Sequence, residues 1–230
     1  IILYSKFFMN QAKMAGGAIH SRHAKLFICN VSTIMTNIGG SGGAMSLLNA
    51  KKVIINQAVI CNNTAKGLGG GVEIRHSKII LTRATKLLLN MGKSGGGVYL
   101  EIIDIFQSVQ NELRKNFANI VGGAFAIINT KILQSMNNSF SSNFANMSSG
   151  GAVYSKISET ILIQNSIYMN NTSGSIGGAM FLELSSKMVT DKCHFGNNQA
   201  KLSAGAVSSE QCMQLVFKNN QFFNNSAKIS

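Results

Sequence analysis

Gly150-Gly151-Ala152-Val153 decides the fold, because it is one of eight near-copies that punctuate the 230 residues at almost even intervals. The others are Gly16-Gly17-Ala18-Ile19, Gly42-Gly43-Ala44-Met45, Gly69-Gly70-Gly71-Val72, Gly95-Gly96-Gly97-Val98, Gly122-Gly123-Ala124-Phe125, Gly177-Gly178-Ala179-Met180 and Ala204-Gly205-Ala206-Val207. Their spacings are 26, 27, 26, 27, 28, 27 and 27 residues. A second marker, apolar-x-x-Asn-x-small, runs at the same period. Its asparagines are Asn10, Asn37, Asn63, Asn90, Asn116, Asn143, Asn171, Asn198 and Asn225. A fixed period of this length signals a repeat architecture, so the expectation is one elongated domain over 1–230, a segment of a longer protein that opens and closes in mid-repeat.

After each glycine pair the pattern alternates with period two, as in a strand with one buried face. Ile19, Met45, Val72, Val98, Phe125, Val153, Met180 and Val207 are expected to point inward, and His20, Ser46, Glu73, Tyr99, Ala126, Tyr154, Phe181 and Ser208 outward. Second apolar stretches come after a polar corner, as in Lys25-Leu26-Phe27-Ile28 and Lys78-Ile79-Ile80-Leu81, and a third leads into the asparagine marker. Three strands and three corners in 27 residues leave no space for a helix of ordinary length. The chain therefore reads as an all-β parallel solenoid, a β-helix with three strands per turn, and the handedness of parallel crossovers favours a right-handed coil. Gly-Gly supplies backbone angles and close approach at a tight corner. The asparagines are expected to form an interior ladder, since a buried amide without partners costs a few kcal/mol.

Composition agrees with repetition: 45% of residues are hydrophobic, enough for a continuous core, while 13% are charged and Pro is absent. The net charge of +13 admits an anionic partner. The basic residues are dispersed, however, Trp is absent, and no aromatic-basic interleaving reads as a nucleic-acid surface, so solubility is their simplest role. Cys29, Cys61, Cys193 and Cys212 sit at four different phases of the repeat, which predicts free thiols. No segment is apolar for the roughly 18 residues a spanning helix needs.

The paired Gly-Gly-Ala-(Ile/Val/Met) and Phe-x-x-Asn tetrapeptides resemble the repeats of the chlamydial polymorphic membrane proteins and of large surface proteins of ciliates and other protists. The resemblance covers residues 7 to 227. It implies a right-handed parallel β-helix serving as the stalk or passenger of a surface adhesin or structural protein. The bacterial members end in an outer-membrane barrel, whose alternating ten-residue strands are missing here. The Asn-, Lys- and Ile-rich composition leans toward a eukaryotic relative.

A search for chemistry yields little. Glu73, Glu101, Asp104, Glu112, Glu159, Glu183, Asp191 and Glu210 are scattered, whereas a carbohydrate-active β-helix needs clustered carboxylates. Glu101, Glu183 and Glu210 share a phase with Arg22, Arg75 and Lys156, which predicts surface pairs Arg75–Glu101 and Lys156–Glu183 between adjacent turns. Gly92-Lys93-Ser94 resembles the end of a phosphate loop, but Leu87 occupies the place of its first glycine. His20 and His23 lack further ligands at metal-site spacing. No catalytic residue, cofactor or metal is expected. Asn30, Asn62, Asn137, Asn146, Asn170, Asn171 and Asn224 each begin Asn-x-Ser/Thr and would permit N-glycosylation of a secreted protein.

The expectation is therefore a non-enzymatic rod of a cell-surface or extracellular protein, with a protein or glycan partner or neighbouring copies of itself. A carbohydrate-active or glycan-binding β-helix and an intracellular or ciliary structural spacer are the alternatives. Tyr99, Tyr154 and Phe181, read as exposed aromatics, are the candidate partner-binding face, the alternative being that stacked aromatics shield the sheet or lie beneath a loop; Asn111 is read as an exposed counterpart to the laddered Asn116.

Overall fold

A computed structural model describes residues 1–229, all of them strand, turn or irregular backbone with no helix. The turn through the middle shows the pattern. Val98–Val109 runs as one long bent strand, Glu112–Arg114 and Phe117–Ala118 come next, and Gly122 begins the next glycine corner. Each strand pairs in parallel with its equivalent one repeat on, as in Val98↔Phe125, Leu113↔Phe140 and Ala118↔Ala145. The result is three sheets of 13, nine and eight strands wound around a common interior, a β-solenoid with three strands per turn.

Corners explain how so short a chain path closes. In the middle turn Ile102, Gln110 and Lys115 adopt φ of 55°, 54° and 54°, and Gly122 adopts 65°. The same positions recur in the neighbouring turns, for example Asn129, Asn137, Ser142 and Gly150. A residue in the left-handed region breaks the in-out alternation: its own side chain faces solvent and the next residue turns inward. Thus exposed Ile102, Gln110 and Lys115 are followed by buried Ile103, Asn111 and Asn116.

Left-handed backbone is unfavourable for side chains branched at Cβ. Ile157 sits at φ 56° and is 46% exposed, so little packing is lost by changing it, and the aligned residue of the previous turn is Asn129. Ile157→Asn is expected to stabilise the protein by about 1 kcal/mol, raising Tm by roughly 2–4 °C. A melting curve unchanged or lowered would mean that the corner backbone is unstrained.

The core is built of columns, one for each inward position of the repeat. Ile34, Ile60, Leu87, Leu113, Phe140, Tyr168 and Phe195, the apolar members of the asparagine marker, are all at most 1% exposed. Phe140, Tyr168 and Phe195 stack face to face at 4.6 and 4.8 Å, with their rings within 7° of parallel. That spacing is the strand-to-strand distance of a sheet, so ring stacking and backbone pairing share one repeat. The glycine-marker residues Met45, Val72, Val98, Phe125, Val153 and Met180 are likewise buried, while Ile19 and Val207 in the outer turns are half-buried.

Candidate functional site

The nine marker asparagines form one column. Asn116 shows the geometry: its backbone N–H donates to Asn143 Oδ1 at 3.1 Å, and its Nδ2 donates to the same oxygen at 3.0 Å and to the Leu87 carbonyl at 2.8 Å. Its own Oδ1 accepts from the backbone and side chain of Asn90, each at 3.1 Å. The pattern continues from Asn10, which donates to Asn37, down to Asn198, which donates to Asn225. The apolar-x-x-Asn spacing acquires a reason: from Asn37 onward, each amide bonds the carbonyl of the apolar marker residue one turn back. Backbone and side chain are thereby locked in one register. From Asn37 to Asn198 every side-chain polar atom is used internally, so this column has nothing to offer a ligand.

The outward aromatic column lies at the expected phase, but it is covered, the alternative to a partner-binding face. Tyr99 is 8% and Phe181 5% exposed, Ala126, Ser46 and Glu73 are buried, and Tyr154 is half-buried. These side chains do leave the interior, but the glycine corner folds back over the strand it begins: a Cβ on Gly177 would lie 3.2 Å from that of Phe181. Charged side chains of the neighbouring turn, two positions further along the repeat, contact the other two rings. The Arg75 guanidinium lies 5.6 Å from the Tyr99 ring centre, and the Tyr154 hydroxyl donates to Glu183 Oε2 at 2.7 Å. Period-two alternation distinguishes the two faces of a strand and cannot tell an outward residue from an uncovered one. The face is therefore packing, and the variant Tyr99→Ser/Tyr154→Ser/Phe181→Ser is expected to lose several kcal/mol of stability. A triple variant that melts with the wild type would reinstate an exposed face.

The outward charges pair within and across turns. Arg75 Nη2 lies 2.8 Å from Glu73 Oε1, and its Nε makes a 3.2 Å ion contact with Glu101 Oε2. Ser46 Oγ donates to the other oxygen of Glu73 at 2.8 Å, which satisfies a carboxylate only 3% exposed. Lys156 Nζ stands 2.6 Å from Glu183 Oε1. That bond, and then the Tyr154 hydroxyl, hold the Glu183 carboxyl below the usual carboxylate range, while burial and then Glu183 push the Tyr154 phenol up. Asp104 pairs with Lys131 at 2.7 Å, and Glu112 with Lys86 and Arg114. Asp191 accepts from Asn219 at 3.0 Å.

Six of the eight carboxylates are thus engaged within the chain. No protein-family model, no curated protein and no solved structure matches this sequence. The reading of the site consequently rests on its own geometry. All four cysteines are free thiols; Cys29 and Cys193 are buried, and burial pushes the Cys29 thiol up to about 11, away from reactivity at neutral pH. Among the described residues no three His, Cys, Asp or Glu side chains gather as metal ligands; His20 accepts from Arg22 Nε at 3.0 Å instead.

The sequon asparagines divide by burial. Asn62, Asn137, Asn170 and Asn224 sit exposed at left-handed corners, and Asn146 is also exposed. Asn30 is half-buried and accepts from Asn56 at 2.7 Å. Asn171 is fully buried in the ladder, so its sequon is closed in the folded chain.

A second polar column escaped the sequence reading. Thr85 N–H donates to Asn111 Oδ1, Asn111 N–H to Asn138 Oδ1 and Asn138 N–H to Ser166 Oγ, at 2.8, 2.8 and 3.2 Å. Asn111, read as exposed, is 2% exposed, because it comes after the left-handed Gln110 and turns inward to bond Thr82 and Ser108. Its column mixes Ser, Thr, Asn and Cys, and this chemical variety hid a position that a single residue type would have announced.

Proposed function

We infer that this chain is a non-enzymatic rod, the structural or adhesive stalk of a cell-surface or extracellular protein. The observation that carries the reading is the unbroken asparagine ladder. It spans eight turn-to-turn steps, about 38 Å of axis at the usual strand spacing. In each inner turn it consumes a backbone N–H and a side-chain amide in holding the next turn in register. Such a column resists bending and slippage, which is what a spacer or stalk requires. The engagement of most carboxylates within the chain speaks for a scaffold over a polysaccharide-cleaving enzyme. The exposed sequons at Asn62, Asn137, Asn146, Asn170 and Asn224 suit a secreted protein and are candidate glycosylation sites, whereas Asn171 is not.

Antibodies raised against the purified chain are the direct test. Staining of intact source cells supports the surface rod, and staining only after permeabilisation favours the intracellular or ciliary spacer. Release of reducing sugar from a polysaccharide panel by the purified protein would overturn the non-enzymatic reading.

A further inference from the structure

Residues 1–72 contain seven Lys or Arg and not one Asp or Glu. The first acid in the chain, Glu73, is 3% exposed and already held by Ser46 and Arg75. Three of the basic residues share one edge of the solenoid with a fourth from the next turn. The pairings Leu26↔Lys52 and Lys52↔Ile79 place the preceding residues Lys25, Lys51 and Lys78 one above another on successive turns, with Lys52 beside them. All four are exposed, and none makes an ion pair among the described residues.

The remainder of the same column is built differently. Its next positions are Asp104, Lys131 and Glu159, so the sign alternates turn by turn, and Lys131 Nζ lies 2.7 Å from Asp104 Oδ1. Like charges directly opposite on adjacent strands destabilise a sheet. The solenoid neutralises this edge where it can, yet it stacks three ammonium groups at strand spacing on its first turns.

We propose that the Lys25–Lys51–Lys78 edge, with Lys52, is a binding surface for a sulfated polysaccharide. The row presents a charge every ~4.8 Å along the solenoid axis, a density that a linear polyanion lying along the same axis can match. The cations are all lysines, compact point charges, where recognition of individual carboxylates or phosphates favours the bidentate arginine fork. The strand beginning at Leu26 sends its aromatic residue, Phe27, inward, so the edge offers no ring on which a nucleotide base could stack. The inference rests on the surface-rod reading by naming that rod's partner class, but it is measured on purified protein, so its failure leaves the cell-staining test untouched.

Binding to immobilised heparin is measured against salt, with hyaluronan and poly(dT) as competitors. Each displaced counterion contributes a slope of about −0.7 to −0.9 in log affinity against log salt, so four lysines predict a slope of about −3. Lys25→Gln/Lys51→Gln/Lys78→Gln should bind roughly tenfold or more weakly, with a slope near −1. Lys115→Gln/Lys192→Gln/Lys201→Gln, the same charge change on exposed lysines elsewhere, should retain the wild-type affinity. Lys51→Glu restores alternating sign along the edge and should weaken binding several-fold while leaving Tm at or above that of the wild type. Equal losses in the two triple variants would mean that net charge alone governs binding, and would overturn the proposal. So would poly(dT) competing as well as heparin, no heparin binding by the wild type, or a Tm that falls in Lys51→Glu.

Discussion

Asn116→Leu is expected to lower the unfolding free energy by about 4 kcal/mol. The reason is the number of groups that lose their partner together. The substitution removes the Oδ1 that accepts from Asn90 N–H and Nδ2, and the Nδ2 that donates to the Leu87 carbonyl. A buried donor or acceptor left unsatisfied costs about 1–3 kcal/mol, and at least two backbone groups are orphaned here, with no water able to reach a site 1% exposed. Leucine is close in volume, so the loss isolates hydrogen bonding from packing. Asn146→Ser, on an exposed side chain, should change stability by no more than about 0.5 kcal/mol. Asn111→Leu should behave like Asn116→Leu, because Asn111 holds its own buried column. Chemical denaturation of the three variants checks this, and Asn116→Leu matching Asn146→Ser would remove the ladder from the account.

The second large effect contrasts two adjacent glycines. A methyl on Gly96 would overlap the Gly123 carbonyl oxygen in the next turn and the Phe117 carbonyl, backbone on both sides with nowhere to retreat. Gly97, one residue on, occupies the place taken by Ala124 and Ala152 in the two turns after it; its added Cβ would meet the Ala124 oxygen at 2.8 Å and nothing else within 3.4 Å. Gly96→Ala is therefore expected to cost more than about 3 kcal/mol, and Gly97→Ala, which needs one small shift at a position where the next two turns carry alanine, at least about 2 kcal/mol less than that. Equal Tm values for the two would show that the corner is not the close contact between turns that the geometry describes.

The solenoid was legible because each of its requirements recurs. Glycines that must let backbone pass backbone, asparagines that must bond their equivalents, and apolar residues that must stack all repeat at one period. The arrangement of charges was legible for the same reason: once the period is known, Arg75 falls beside Glu101 and Lys156 beside Glu183.

The features that escaped depend on the path of the chain between strands. Tyr99 and Phe181 point away from the interior, as alternation requires, and are still covered, Phe181 beside its glycine corner and Tyr99 under the Arg75 guanidinium of the turn before. Asn111 was misread because a left-handed residue before it reverses the side on which it falls, and Gln110 carries no visible sign of that conformation. Of the 27 such non-glycine corners among the described residues, some are asparagine or histidine, but Val31, Thr36, Ile102 and Ile157 are among the residues least suited to them. There the stacking of turns above and below overrides local preference, and only the assembled solenoid contains that information.

Backbone hydrogen exchange at the ladder asparagines tests the central claim most directly. The N–H groups of Asn63, Asn90, Asn116 and Asn143 each donate to a side-chain oxygen one turn on, inside a core without exposed surface. They are predicted to exchange only through global unfolding, as the slowest amides in the chain, with Asn10 and Asn198 at the outer turns exchanging sooner. Exchange of Asn90 and Asn116 at the rate of an unstructured peptide, in a protein that is otherwise folded, would contradict the solenoid and the rod built on it.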